Sequence, residues 1–127
     1  MPRKSPLKLS DVRILFAIHE LNEMNYYPLP HGVYKILAGV DDDETLPFRE
    51  LQAYQTQISR SFKNVSRDIS QLTKKGLISK IYVEQFDDYY LKLTDIGKSA
   101  LRYYSSKKKY KINKCQKELH PTIISLD

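Results

Sequence analysis

The stretch "SRSFKNVSRDISQLTKKGLISKIYVEQFDDYYLKLTDIGKSAL", Ser59 to Leu101, decides the fold. Its first apolar residues, Phe62, Val65, Ile69 and Leu72, recur at spacings of three, four and three, the period of one buried helix face. The same period turns Lys63, Asn64, Arg67, Gln71 and Lys74 away from that face. Ser61, or alternatively Ser59, caps the helix. Lys74 and Lys75 lie in its last turn, where cations favour the negative end of the helix dipole, and Gly76 supplies a left-handed stop. Beyond that glycine the period becomes two. Leu77, Ile81 and Val83 are expected to face inward from one strand, "QFDD" to turn, and Leu91 and Leu93 to face inward from a second strand. Thr94 then caps a closing helix, "DIGKSALRYYSS", which runs toward a block of lysines.

Towards the N-terminus, Ser10 caps a first helix that runs to about Met24, with Asp11 in its first turn. Its apolar set (Val12, Ile14, Leu15, Phe16, Ala17, Ile18 and Leu21) is wider than the roughly 100° stripe of a surface helix. A subunit interface or a central position within the monomer accounts for that breadth. "NEMNYYPLP" has no helical period and reads as a loop. Pro30 suits the first turn of a second helix whose inner face is Val33, Ile36 and Leu37. Thr45 and Pro47 open an expected third helix with Phe48, Leu51, Tyr54 and Ile58 as its stripe. The expected architecture is therefore mainly α with one small β-hairpin, in the order α-α-α-α-β-β-α.

A chain of 127 residues with 41% hydrophobic residues can build one core and no more. Residues 1–8 read as a basic arm, 9–110 as the folded domain and 111–127 as a basic, mobile tail. No apolar run approaches the roughly 20 residues that cross a bilayer, and the first residues lack a cleavage site, so a soluble, cytoplasmic protein is expected. Cys115 is the single cysteine, which excludes an internal disulfide and fits a reducing compartment. The net charge of +6 is unevenly laid out. Residues 9–101 carry 11 Lys/Arg against 13 Asp/Glu, whereas residues 102–117 carry seven cations and no acid. Ser59 to Lys80 holds Arg60, Lys63, Arg67, Lys74, Lys75 and Lys80 against Asp68 alone. Such segregation points to a polyanionic partner.

Two helices joined by a tight turn, the second cationic on its outer face and followed at once by a hairpin, is the order of a winged helix-turn-helix. "VSRDISQLTKKGLISKI" followed by "LKLTDIGKSAL" resembles the recognition helix, wing and closing helix of the multiple-antibiotic-resistance-regulator (MarR) type of transcription regulator. The matching positions are Val65, Ser66, Leu72, Gly76, Leu77, Leu93, Thr94 and Gly97. The likeness runs without a gap back to Tyr54 and loosely over Leu29 to Leu101. It implies a homodimer built from the first and closing helices, double-stranded DNA as partner and transcription regulation as function. Regulators of this type often bind small-molecule effectors between dimerisation helices and DNA-reading domain, though no residue here names a ligand. The hairpin departs from the family pattern: its tip holds Glu84, Asp87 and Asp88 and no cation, so wing contacts to DNA do not carry over.

On this reading Ser61, Lys63, Asn64 and Arg67 lie nearest base edges in the major groove, where Arg suits guanine and Asn suits adenine. Gln71 serves base or backbone. Arg60, Lys74 and Lys75 meet phosphates, and Lys80 and Lys92 are the hairpin cations within reach of a backbone. Any surface helix also needs a polar outer face, but cap, glycine stop and following hairpin agree on the interface. The ten tyrosines read as half-buried strand and interface residues rather than a base-stacking platform. His19, packed on the first helix, His31 and His120 have no partner at ligand spacing, and "DDDE" at Asp41 to Glu44 reads as a solvated turn. No nucleophile elbow, phosphate-binding glycine loop or carboxylate pair is present, so neither catalysis nor a cofactor is expected. A winged helix that docks proteins, or one that serves plasmid or viral replication or partition, are the alternatives.

Overall fold

Four α-helices and one two-stranded antiparallel hairpin build residues 7–107, which the computed structural model describes. All but the last two residues of the expected arm, the whole of the expected tail, Cys115 and His120 lie outside the described residues. The chain runs through α1 (Leu9–Glu23), α2 (Pro30–Ala38), a 3-10 turn (Leu46–Phe48), α3 (Phe62–Lys74), β1 (Ile78–Val83), β2 (Asp88–Leu93) and α4 (Asp95–Ser105).

The helix α1 is the centre of the molecule, touching α2, α3, β2 and α4. Val12, Ile14, Leu15, Ala17, Ile18 and Leu21 are all buried. The breadth of its apolar face thus comes from a central position in the monomer, each Val, Ile and Leu of the set contributing roughly 1.5–3 kcal/mol on burial. Ser10 is not its cap: the cap is Lys8, two residues earlier, with Asp11 accepting from the Lys8 amide at 3.2 Å. Pro30 opens α2 and Gly39, in the left-handed region, ends it after Val33, Ile36 and Leu37 have entered the core.

The expected third helix does not form. Residues 46–56 instead make successive i→i+3 turns, from Phe48, Leu51, Tyr54 and Thr56 back to the carbonyls three residues earlier. The helical hydrogen bonds lose to tertiary ones. Glu20 on α1 accepts from the amides of Gln52 and Ala53 at 3.0 and 2.9 Å, and the carbonyls of Ile36 and Leu37 accept from Gln55 and Gln57. Gln55 takes a positive φ of 66°, which no helix interior holds. The spacing of three in Phe48, Leu51 and Tyr54 still delivers Phe48 and Tyr54 to the core, whereas Ile58 is exposed. Thr45 is buried and closes the Asp42–Thr45 turn rather than capping a helix, its hydroxyl donating to the Val40 carbonyl at 2.7 Å. Nor is "DDDE" wholly solvated: Lys35 reaches Asp42 at 2.7 Å and Glu44 at 2.6 Å.

The hairpin forms where expected but one residue out of phase on its first strand. Ile78 opposes Leu93 and Lys80 opposes Leu91, so Ile78, Leu91 and Leu93 share the core face. Ile81 and Val83 lie on the other face, and Ile81 is exposed. Leu77 precedes the strand and is buried at the exit of α3, so counting a period of two from it reverses the faces. Asn22 pins the second strand, its side-chain oxygen accepting from the Leu93 amide at 3.0 Å and its amide nitrogen donating to the Tyr26 carbonyl at 3.1 Å. The Leu91 amide donates to Pro28 at 2.8 Å. Thr94 caps α4, accepting from Gly97 N at 2.9 Å and donating to the Gly76 carbonyl at 2.7 Å. Gly97 has to be glycine, because a Cβ there would stand 2.1 Å from the Leu77 carbonyl oxygen.

Candidate nucleic-acid interface

Ser61 caps α3, its hydroxyl oxygen accepting from the Asn64 amide at 3.2 Å, and this fixes the rotation of the helix. Val65, Ile69 and Leu72 are then buried to within 1% exposure. Lys63, Arg67, Gln71, Lys74 and Lys75 are exposed on the opposite side, and Asn64 is half-buried. Among the described residues no carboxylate pairs with Lys63, Arg67, Lys74 or Lys75. The outer face of α3 therefore carries four unneutralised cations along three turns.

The one acid of this helix, Asp68, is turned inward and fully buried. Arg60 donates to its Oδ2 at 2.6 Å, Lys8 reaches Oδ1 at 3.4 Å, and the Ser10 hydroxyl donates to Oδ2 at 3.5 Å. Burial pushes the Asp68 carboxyl up, but the Arg60 hydrogen bond and the charges of Lys8 and Arg60 outweigh it and hold it below its ordinary value. A cation expected at the phosphates, Arg60, is thus engaged on an internal carboxylate that joins the entry of α3 to the start of α1. A short loop cation near an acid at i+8 carries no sequence signature, and neither Lys8 nor Ser10 was legible as its partner.

Phe62 also departs from expectation. It lies on the stripe of α3 but at the first helical residue, where side chains lean toward the N-terminus and overrun the core edge. It is 40% exposed and meets His31 and Tyr34 of α2 edge-on, with ring centroids 5.2 and 5.7 Å away. His31 stacks on Tyr34 at 5.9 Å, so an aromatic cluster borders the N-terminal end of the cationic face. The remaining histidine of the described residues, His19, is half-buried with Nδ1 sealed from solvent and without a hydrogen bond.

The structure does not bring Lys80 and Lys92 together. Lys80 opposes Leu91 on the core face of the hairpin and Lys92 opposes Ser79 on the other, so one surface cannot engage both. Past Lys80 the hairpin outruns the core. Tyr82 and Tyr89 pair across the strands at 4.9 Å, and the Tyr82 hydroxyl donates to Asp87 at 2.6 Å, which raises the Tyr82 phenol. On the other face Tyr26, Tyr27, Ile81, Val83, Phe86 and Tyr90 line an open groove of about 230 Å³. The turn that follows carries Glu84, Asp87 and Asp88, and the Asp87 carboxylate is held by Tyr82 on the face opposite the groove.

Among the described residues no helix is long and apolar enough to cross a membrane. No family model, curated protein or solved structure matches this chain.

Proposed function

We propose that the chain is a winged helix-turn-helix regulator of the MarR type that binds double-stranded DNA as a homodimer through α3. The observation that carries this reading is the outer face of α3, where Lys63, Arg67, Lys74 and Lys75 are exposed without a carboxylate partner while the helix's only acid is buried. The element order, with a hairpin directly after α3 and a capped helix after the hairpin, supports it.

In this arrangement the N-terminal half of α3 enters the major groove. Arg67 and Asn64 read base edges by paired hydrogen bonds, and Lys63 and Gln71 lie beside them. Lys74 and Lys75 neutralise phosphates, which gives affinity and salt dependence but no sequence information. Two copies of α3 about one helical turn of DNA apart cover a pseudo-palindromic site, and occupancy excludes or recruits polymerase.

A binding titration against salt tests the reading. Arg67→Ala is expected to cost about 1–3 kcal/mol and to relax specificity at one base pair. Lys74→Ala with Lys75→Ala weakens all sequences alike and lowers the salt slope by about 1 for each phosphate that is no longer neutralised. Unchanged affinity and slope in Lys63→Ala/Arg67→Ala would end the proposal. The acidic, aromatic hairpin favours a second reading, a protein-docking winged helix. In that case retention on heparin would show little dependence on salt.

A further inference from the structure

Four aromatic rings converge on the groove beside the hairpin. Tyr26 and Tyr27 enter it from the loop after α1, and Phe86 and Tyr90 from the hairpin. The rings of Phe86 and Tyr90 stand at 67° to one another with centroids 6.2 Å apart, and Tyr26 is tilted by 52° against Phe48, which lies outside the groove. Rings set edge to face leave faces uncovered, and Phe86, Tyr26 and Tyr27 are 62%, 45% and 37% exposed. Such a face carries the negative part of the ring quadrupole.

Hydrogen bonds fix these walls in advance. The Tyr26 amide donates to the Leu21 carbonyl at 2.9 Å, and the Asn22 side-chain amide donates to the Tyr26 carbonyl at 3.1 Å and reaches the Leu91 carbonyl at 3.4 Å. The Leu91 amide donates in turn to Pro28 at 2.8 Å. The loop is thereby tied to α1 and to β2 on either side of Tyr27, and a site set in advance loses little entropy on binding.

No Lys, Arg, Asp or Glu lines the groove, and the charged residues next along this face of the hairpin, Lys92 and Asp88, have opposite signs. Selection therefore falls to the ring faces. They repel an anion. A primary ammonium would give up its three hydrogen bonds to water and find only phenol oxygens and Asn25 in exchange. A quaternary ammonium has no N–H to satisfy and is attracted to a ring face within about 6 Å of its centre. The volume of about 230 Å³ lies below the roughly 300–1,000 Å³ of sites for larger molecules and matches so compact a head group.

We infer that the groove is a binding site for a small, free quaternary ammonium ion, held by cation–π contact with Tyr26, Tyr27, Phe86 and Tyr90. The inference goes beyond the proposed function: it uses no residue of α3 and needs no DNA.

A proton-resonance titration with tetramethylammonium and choline tests it. Ring faces shield what lies over them, so the N-methyl signals are expected to move upfield and to saturate as protein is added. The neutral alcohol in which carbon replaces the nitrogen of choline has the same shape without the charge, and is expected to bind about tenfold more weakly or worse. Phe86→Leu and Tyr27→Leu each keep an apolar wall and remove a π face. Each is expected to weaken both cations roughly two- to fivefold and to leave the neutral alcohol unchanged. The exposure of Phe86 keeps its variant clear of the core. Absence of a saturable shift, equal affinity for choline and the alcohol, or leucine variants that bind the cations as the unmodified chain does each overturns the inference. Capture by phosphatidylcholine vesicles without any shift of the free ions would give the site to a lipid head group and overturns it too. Duplex binding by the unmodified chain reports on the proposed function alone, so the two ideas fail separately.

Discussion

At the scale of single residues, Asp68 bears the largest electrostatic responsibility in the described chain. It is fully buried, and its charge is sustained by Arg60 and Lys8. Its folded-state pKa lies below the ordinary carboxylate value, so it contributes stability that is present above the unfolded pKa, near 4, and is lost as pH falls through the lower folded value. Asp68→Asn is therefore expected to lower stability at neutral pH by about 1–3 kcal/mol, the worth of hydrogen bonds to a charged group. The difference from the unmodified chain should shrink steadily as the pH drops below about 4, where the native carboxyl also becomes protonated. Denaturant unfolding across that range measures it, and a pH-independent difference would mean that shape, not charge, holds the contact. The pair Lys35–Asp42 behaves alike in direction, the Lys35 hydrogen bond lowering the Asp42 carboxyl while Asp42 raises the Lys35 ammonium. Its groups are more open to water, so the stability it adds is screened.

At the scale of elements, the joint between hairpin and core is set by Asn22 and Gly97. Asn22→Ala removes an acceptor from the Leu93 amide and a donor from the Tyr26 carbonyl, and is expected to cost about 1–3 kcal/mol. Amide exchange should show the loss first at Leu93, with the centre of α1 protected until global unfolding. Gly97→Ala is expected to be worse than Gly76→Ala. The first drives a methyl into a backbone oxygen that cannot yield, whereas Gly76 has open space and only its φ of +83° to lose, about 1–2 kcal/mol. Thermal melts of the two variants rank them. These joints also mark where the sequence was legible. The stripe of α3 from Val65 to Leu72 with its glycine stop, and Thr94 with its helix, are local signals that the structure follows, whereas Phe62 at the head of the stripe is exposed. The failed helix after Thr45 and the reversed faces of β1 depend on partners far away in sequence: Glu20, Ile36 and Leu37 in one case, and the burial of Leu77 under α4 in the other. Local periodicity cannot see a carboxylate 32 residues upstream that claims an amide. The cationic face of α3 was visible for the same reason as its stripe, since one helical period fixes both. The diversion of Arg60 to Asp68 was not, because it is a tertiary pairing.

At the scale of the molecule, charge layout and symmetry join into one expectation. The acid of α3 is buried and the acids of the hairpin lie at its tip, so the exposed cations of α3 face a partner undiluted. A dimer whose contacts lie away from α3 uses none of those cations, which leaves two copies of α3 free to read one duplex together. Selection from random duplex DNA by the unmodified chain is then expected to enrich an inverted repeat, its half-sites about 10–10.5 base pairs apart or at a multiple of that spacing. The same selection at protein concentrations too low to sustain a dimer should return the half-site alone, at lower affinity, because the reading helix is intact and only the coupling is gone. Enrichment of no sequence at either concentration would remove specific DNA binding. The affinity gap between whole and half sites measures the dimer's contribution, since the second half-site binds at the effective concentration that the first contact sets.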